Sequence, residues 1–301
     1  MVQTLHAVRA YGARFGLVGG EVAFVRTRYE LRVECPSTYS PDHKVIIDLE
    51  YRATNPATPE YSSRWDRVEK INPIQPLEEI RQTIVDCTRC PRLRDYCRGI
   101  GETRRKAYRD QAYWAKPVPG FGDAKARILV LGLAPGAHGA NRTGRPFTGD
   151  GSGDFMYPVL HELGLASKAS AVSRDDGLKL RNLWIGSVVR CAPPGDKPTP
   201  QEVRNCSSHL TAEIRALRKV KVVVCLGKIA WDGYLAHLLG EGVIERRSAY
   251  VFGHGAEYLL PNGIRLLGSY HPSLRNTNTG RLDRTMFTRV FVRAMELTEL
   301  A

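Results

Sequence analysis

Nineteen consecutive residues, Gly132 to Asp150 (GLAPGAHGANRTGRPFTGD), concentrate more chemistry than any other stretch of this 301-residue chain. They hold five glycines, two prolines, a His, an Asn, two Arg, a Phe and a terminal Asp. Glycines let backbone approach a ligand closely and adopt positive φ. An aromatic ring among polar groups, here Phe147, can stack on a planar ring while its neighbours read the edge. The run follows the apolar segment Ile128–Leu133, which reads as a buried strand. A loop leaving the carboxyl end of such a strand is where open α/β sheets bind ligands. The reading is a binding and catalytic loop.

A second polar run, Ser269 to Arg281 (SYHPSLRNTNTGR), also follows an apolar segment. His271 precedes Pro272, which restricts its backbone, and its imidazole can donate a hydrogen bond to a developing anion. A lone loop histidine is more often satisfied by backbone. Its place after a strand parallel to the one carrying the first loop favours a functional role. Leu274 and Arg275 project just beyond; in a DNA-acting protein such a pair can enter the base stack and hold phosphate.

The third constellation is cysteine. Cys87-Thr-Arg-Cys90 is a C-x2-C pair at a predicted helix C-terminus, and Cys191 and Cys206 form a second pair with fourteen residues between them, in a proline-rich loop. Four thiolates suit a tetrahedral zinc or a 4Fe-4S cluster. The second pair lacks the tight knuckle of a zinc ribbon, which favours iron–sulfur. A lone C-x2-C would read as ordinary buried thiols; the second pair argues against that. Cys35, Cys97 and Cys225 are left outside the set.

The elements that must position these groups alternate. Apolar runs at Ile128–Leu133, Leu183–Val189, Val220–Leu226 and Ile264–Gly268 predict four short strands. Helical patterns fall at Leu77–Val85, Phe155–Leu163, Pro200–Leu217, Lys228–Leu239 and Arg284–Leu297, and Thr199-Pro-Gln-Glu202 has the form of a capping box. The pattern predicts an α/β three-layer sandwich with a central four-stranded parallel sheet flanked by helices. Residues 1–66 read as a small β-rich extension of unknown role, with strands near Glu21–Glu34 and Lys44–Arg52 and a linker around Pro56, Pro59 and Ser62-Ser63. Residues 67–301 form the main domain.

The formal net charge is +13, and residues 1–66 hold eight basic and eight acidic side chains, so the whole excess lies in residues 67–301. A basic body favours a polyanion such as nucleic acid, because neutralising phosphates releases counterions; a merely basic enzyme is the plain alternative. No apolar run reaches the ~18–20 residues of a bilayer span. The expectation is a soluble, cytoplasmic, monomeric protein without membrane contact, its odd seven cysteines suited to metal ligation in a reducing compartment.

Together the three motifs resemble the uracil-DNA glycosylase superfamily, specifically its family 5 iron–sulfur branch, over roughly Pro76 to Leu297. The first loop is similar to that family's motif 1, VVRCAPPGDKPTPQEVRNC to its cluster-binding region, and SYHPSLRNTNTGR to its motif 2. The resemblance implies a structural 4Fe-4S cluster on Cys87, Cys90, Cys191 and Cys206. It implies removal of uracil, and often other deaminated bases, from DNA. By motif position Phe147 would stack on the flipped base, His271 would face the uracil O2, and Asp150 would position or activate water. Gly132, Ala134, Gly136 and His138 would line the pocket with Ser187. Asn141 and Arg142 would contact base or DNA backbone, and Ser273, Leu274 and Arg275 would contact DNA. Two departures stand out. Gly136, Ala137 and His138 occupy positions where related families carry an acid or Asn. Ser187 stands where the iron–sulfur relatives commonly carry Asn, and a hydroxyl cannot reproduce an amide's paired donor and acceptor, which implies looser base discrimination. A non-catalytic damaged-base-binding protein of the same fold is the alternative.

Overall fold

A computed structural model describes the backbone of Tyr11–Val18 and Glu21–Arg28, and residues 76–300 throughout. The chain divides into two units, Met1–Val68 and Glu69–Ala301. In the first, β1 (Tyr11–Val18) pairs antiparallel with β2 (Glu21–Arg28), Val18 opposite Glu21. β2 falls in the expected Glu21–Glu34 segment, whereas β1 was not anticipated. The expected strand at Lys44–Arg52 and the linker near Pro56 lie outside the described residues.

The second unit runs α1 (Leu77–Val85), α2 (Pro91–Thr103), β3 (Phe121–Gly122), β4 (Ile128–Gly132), α3 (Ala140–Thr143), α4 (Gly151–Glu162), β5 (Leu183–Ser187), α5 (Pro200–Ala216), β6 (Val222–Leu226), α6 (Lys228–Gly240), β7 (Glu257–Leu259), β8 (Arg265–Ser269), α7 (Leu274–Asn278) and α8 (Arg284–Glu296). Its sheet has six strands in the order β3-β5-β4-β6-β8-β7. The four expected strands are there, and they are parallel. The expected count of four is corrected by two short antiparallel edge strands, β3 on β5 and β7 on β8. Two or three residues of edge pairing leave almost no periodicity to read.

β4, β5 and β6 are buried at every position, because helices cover both faces of the sheet. Ile128, Val130, Ile185, Val224 and Leu267 pack with Tyr157 and Leu160 of α4 and Phe287 and Phe291 of α8. The alternate residues Leu129, Leu131, Trp184, Val223 and Leu266 pack with Leu210 of α5 and Trp231 and Leu235 of α6. Each such side chain contributes roughly 1.5–3 kcal/mol by leaving water. The result is the three-layer sandwich. Thr199 caps α5 as a full capping box with Glu202. The unexpected α2 starts with Pro91 at its first position; Gly99 and Gly101 dilute its helical signal. Among the described residues no helix is long and apolar enough to cross a membrane.

Because β4, β5, β6 and β8 run parallel, the segments following them all leave from one end of the sheet. Ser187 ends β5 opposite Gly132 of β4, and Ser269 ends β8 opposite Leu226 of β6. Both polar runs therefore start at that end.

Candidate active site

Phe147 joins the two runs. Its ring lies 5.8 Å from that of His271, tilted by 32°, and it presses on the end of β4. A Cβ at Gly132 would come within 3.0 Å of Phe147 Cζ, so glycine lets the ring lie there. Phe147 has φ +50, a left-handed conformation costly for an aromatic residue and held only where surroundings dictate it. Those surroundings are its neighbours. Arg145, 2% exposed, donates Nε to Thr148 Oγ1 at 2.9 Å and grips Asp176 with both terminal nitrogens, at 2.9 and 2.7 Å. Asp176 also accepts from the backbone of Val172, Ser173 and Leu178. Burial opposes its charge, but these bonds hold its carboxyl well below the usual range. Sequence reading missed this clamp; Asp176 lies 31 residues from Arg145 and belongs to no motif.

Asp150 is the N-cap of α4, its Oδ1 accepting from the backbone of Ser152 (3.1 Å) and Gly153 (3.0 Å). Its Oδ2 lies against the Gly136–Gly139 turn, where a Cβ at Gly139 would stand 1.8 Å away. Burial raises the Asp150 pKa, and the two backbone bonds oppose the rise. His271 follows β8; burial pushes its pKa down to about 4, so its imidazole is neutral at neutral pH, a hydrogen-bond donor rather than a cation. Ser187 Oγ would lie 3.8 Å from a Gly132 Cβ. Gly132, Phe147, Ser187, Asp150 and His271 thus gather at the carboxyl ends of β4, β5 and β8, with Ala134 and Gly136 on the adjoining turn.

His138, half-buried, pairs Nδ1 with the Tyr113 hydroxyl at 2.9 Å. Burial, then the charges of Arg105 and Arg142, lower its pKa. Two residues expected to meet base or DNA are engaged elsewhere. Asn141 is fully buried, and its amide nitrogen bonds to the carbonyls of Cys97 and Ala137, both at 3.3 Å. Arg142 donates to His138 O (2.7 Å), Gly149 O (2.6 Å) and Gln111 Oε1, over the Tyr108 ring. Both brace the loop from behind, Asn141 through its amide nitrogen alone, its buried Oδ1 having no partner among the described residues. In the second run, Leu274 is 57% exposed at the start of α7 and its side chain lies over Gly151, the first residue of α4. Arg275 is exposed, and Ser273 makes no capping bond with its side chain.

Cys87 follows α1, Cys90 is the N-cap of α2, and Cys191 and Cys206 are buried. The C-x2-C pair thus spans two helices rather than ending one. All four line one cavity. Each sulfur accepts an N–H: Cys87 from Arg89 Nε (3.3 Å), Cys90 from Asn205 Nδ2 (3.5 Å), Cys191 from Arg94 Nη1 (3.9 Å) and Cys206 from the Arg190 backbone (3.3 Å). Such bonds favour sulfur that carries negative charge. Among the described residues no three His, Cys, Asp or Glu side chains gather to hold a single ion.

An aromatic ring, a neutral imidazole and a helix-capping carboxylate thus meet at the carboxyl ends of the strands of an α/β sandwich, where such sheets bind ligands. Residues 119–294 match the profile of the Uracil DNA glycosylase superfamily, and the chain belongs to that family. It is 52% identical over 223 residues to the type-5 uracil-DNA glycosylase of Thermus thermophilus, covering 74% of this chain and 99% of that protein. The type-5 enzymes of Mycobacterium tuberculosis and Pyrobaculum aerophilum are each 46% identical, over 73% and 70% of this chain and 81% and 88% of their own lengths.

Proposed function

We propose that this chain is a uracil-DNA glycosylase of base excision repair, hydrolysing the bond between deoxyribose C1′ and uracil and leaving an abasic site. Long, near-complete alignments to enzymes of that name support the reading. The observation that carries it is the meeting of Phe147, Asp150 and His271 at one end of the sheet. A base inside a duplex is unreachable and must be extruded into the pocket. The base stacks on Phe147, and Ser187 offers its edge a single hydroxyl in place of an amide, which supports acceptance of hypoxanthine or xanthine as well. As the C1′–N bond breaks, its electron pair moves to the base. His271 donates a hydrogen bond to the developing oxyanion. Asp150 holds a water on the sugar side and takes its proton while the water oxygen bonds C1′, in an oxocarbenium-like transition state. Ser273, Leu274 and Arg275 meet the DNA, Leu274 filling the space the base leaves.

Cys87, Cys90, Cys191 and Cys206 hold a 4Fe-4S cluster. A cavity lined by all four thiols and an N–H donated to each sulfur support a shared bound group, and the wide spacing of Cys191 and Cys206 favours a multi-iron group over zinc. Such a group supplies structure rather than redox chemistry, which hydrolysis does not need; its ligands tie α1, α2 and α5 to the segment after β5. The activity is assigned to residues 67–301, since about three quarters of this chain matches 99% of the Thermus thermophilus enzyme, and the reading is of a monomeric, cytoplasmic enzyme.

The test is release of uracil from a labelled oligonucleotide, with iron and acid-labile sulfide measured on anaerobically purified protein. Uracil release is expected; tight binding of uracil-containing DNA without release would instead make this a damage-binding protein. Colourless, zinc-loaded protein would remove the cluster and leave the hydrolysis standing.

A further inference from the structure

Residues 104–115 pack against the outside of the first loop. Tyr113 hydroxyl pairs with His138 Nδ1 at 2.9 Å, Trp114 N donates to Arg142 O at 2.8 Å, and Ala115 N donates to Asn141 O at 2.9 Å. The Arg142 guanidinium sits 3.9 Å over the Tyr108 ring. These bonds fix the segment to the pocket wall, so its surface is set relative to the reacting groups.

That surface is cationic. Arg105, Lys106 and Arg109 are exposed, and among the described residues their side chains make no hydrogen bond or ion pair. Arg104 does not share this freedom: it bonds Gly101 O at 3.1 Å and Arg109 O at 2.7 Å and so braces the turn. Glu102 and Asp110 flank the turn without pairing to it. Elsewhere many basic side chains are engaged by carboxylates, as Arg92 is by Glu202, Arg215 by Glu241 and Arg293 by Glu257. Three free cations within five residues, on a braced turn against the catalytic loop, are placed to meet an anion rather than to solvate a face. Arg105 is near enough to the pocket for its charge, after burial, to depress the His138 pKa.

We propose that Arg105, Lys106 and Arg109 are a phosphate clamp for the DNA strand beside the extruded nucleotide, a second anchor in addition to the turn at Leu274 and Arg275. The proposal rests on the glycosylase reading. Phosphate contacts fix register and orientation without reading sequence. A clamp braced on the loop that carries Phe147 and Asp150 would set where along the strand a nucleotide meets the pocket.

The test uses the full chain and a duplex with one 2′-fluoro-2′-deoxyuridine, whose glycosidic bond resists cleavage. Affinity is measured between roughly 50 and 200 mM salt. Each phosphate that is no longer neutralised lowers the log–log salt slope by about 0.9. R105A/K106A/R109A is expected to lower the slope by roughly 2–3 and to weaken binding at least ~10-fold at the low-salt end. The control R218A/K219A changes two exposed cations before β6, at the opposite end of the sheet, and should leave slope and uracil release unaltered. An unchanged slope in the triple variant overturns the clamp, and so does an equal per-charge fall in the control, which would mean diffuse charge. The single variant Lys106→Glu repeats the test should the triple variant fold poorly, with a fall in slope expected and an unchanged slope again overturning it. Failure of the wild type to release uracil would count against the glycosylase reading, and the salt slopes would remain a separate result.

Discussion

Asp150 has two duties that a substitution series can separate. Its Oδ1 caps α4, while its Oδ2 faces the Gly136–Gly139 turn. Asn caps a helix about as well as Asp, whereas Ala costs about 0.5–2 kcal/mol. Asp150→Asn should therefore leave the thermal midpoint nearly unchanged and still remove the charge that handles water, with kcat for uracil release falling roughly 10²–10³-fold. Asp150→Ala should lose both rate and midpoint. Equal kcat in wild type and Asp150→Asn would clear Asp150 of the chemistry. The carboxylate must be ionised, so the raised pKa of Asp150 moves the acid limb of the rate profile upward in pH from where an unburied aspartate would put it. His271, neutral down to about pH 4, adds no limb near neutrality. The placing of Asp150 and His271 near the strand ends was legible because each lies in a run of unusual composition that follows an apolar strand. The internal engagement of Asn141 and Arg142 was not, since residue type says nothing about which way a side chain turns.

Between residue and fold, the unit that matters is the loop from Gly132 to Asp150 with its supports. The central strands and most long helices could be read from apolar periodicity, and the Thr199 cap from its spacing. The supports could not. Arg145 and Asp176, and Tyr113 and His138, meet only once the chain has folded, and α2 hides behind its glycines. These supports hold Phe147 in its strained backbone, which makes the Arg145–Asp176 pair a lever on the site. Removing one member of a buried pair strands the other and typically costs ~3–5 kcal/mol; partial exposure of Asp176 puts the expectation at the lower end. Asp176→Ala should lower the unfolding midpoint and also raise KM for uracil-containing DNA, because Phe147 is no longer fixed. Isothermal denaturation and steady-state kinetics on one preparation check it. A lowered midpoint with KM intact would make the pair a prop of the fold alone.

At the scale of the molecule, burial sets how the protein meets acid. Among the described residues five histidines, His138, His209, His237, His254 and His271, are held below the ordinary value of 6.5, in each case first by burial. A histidine whose folded pKa is depressed binds its proton more readily when unfolded. The unfolded state then carries more protons between the folded and unfolded pKa values, so stability falls as pH drops through that window. For His209 and His271 the window runs from 6.5 down to about 4. A second loss begins lower. Glu202 and Glu257 have depressed pKa values, held first by Arg92 and Arg293, and Asp176 lies lower still; their contribution is present above the unfolded value and lost as they protonate. The charge of the main unit grows over the same range and adds self-repulsion. Unfolding free energy should therefore decline already between pH 7 and 5, before the ion-paired carboxylates of Glu202, Glu257 and Asp176 titrate. His209 lies 5% exposed with Nε2 unpaired and should supply roughly 2 kcal/mol of that decline by pH 5. His209→Gln should flatten the curve between pH 7 and 5 and leave the steeper fall below pH 4.5 in place. Denaturant titrations at closely spaced pH read both segments, and an unaltered slope above pH 5 in His209→Gln would place the acid lability in the carboxylate pairs instead.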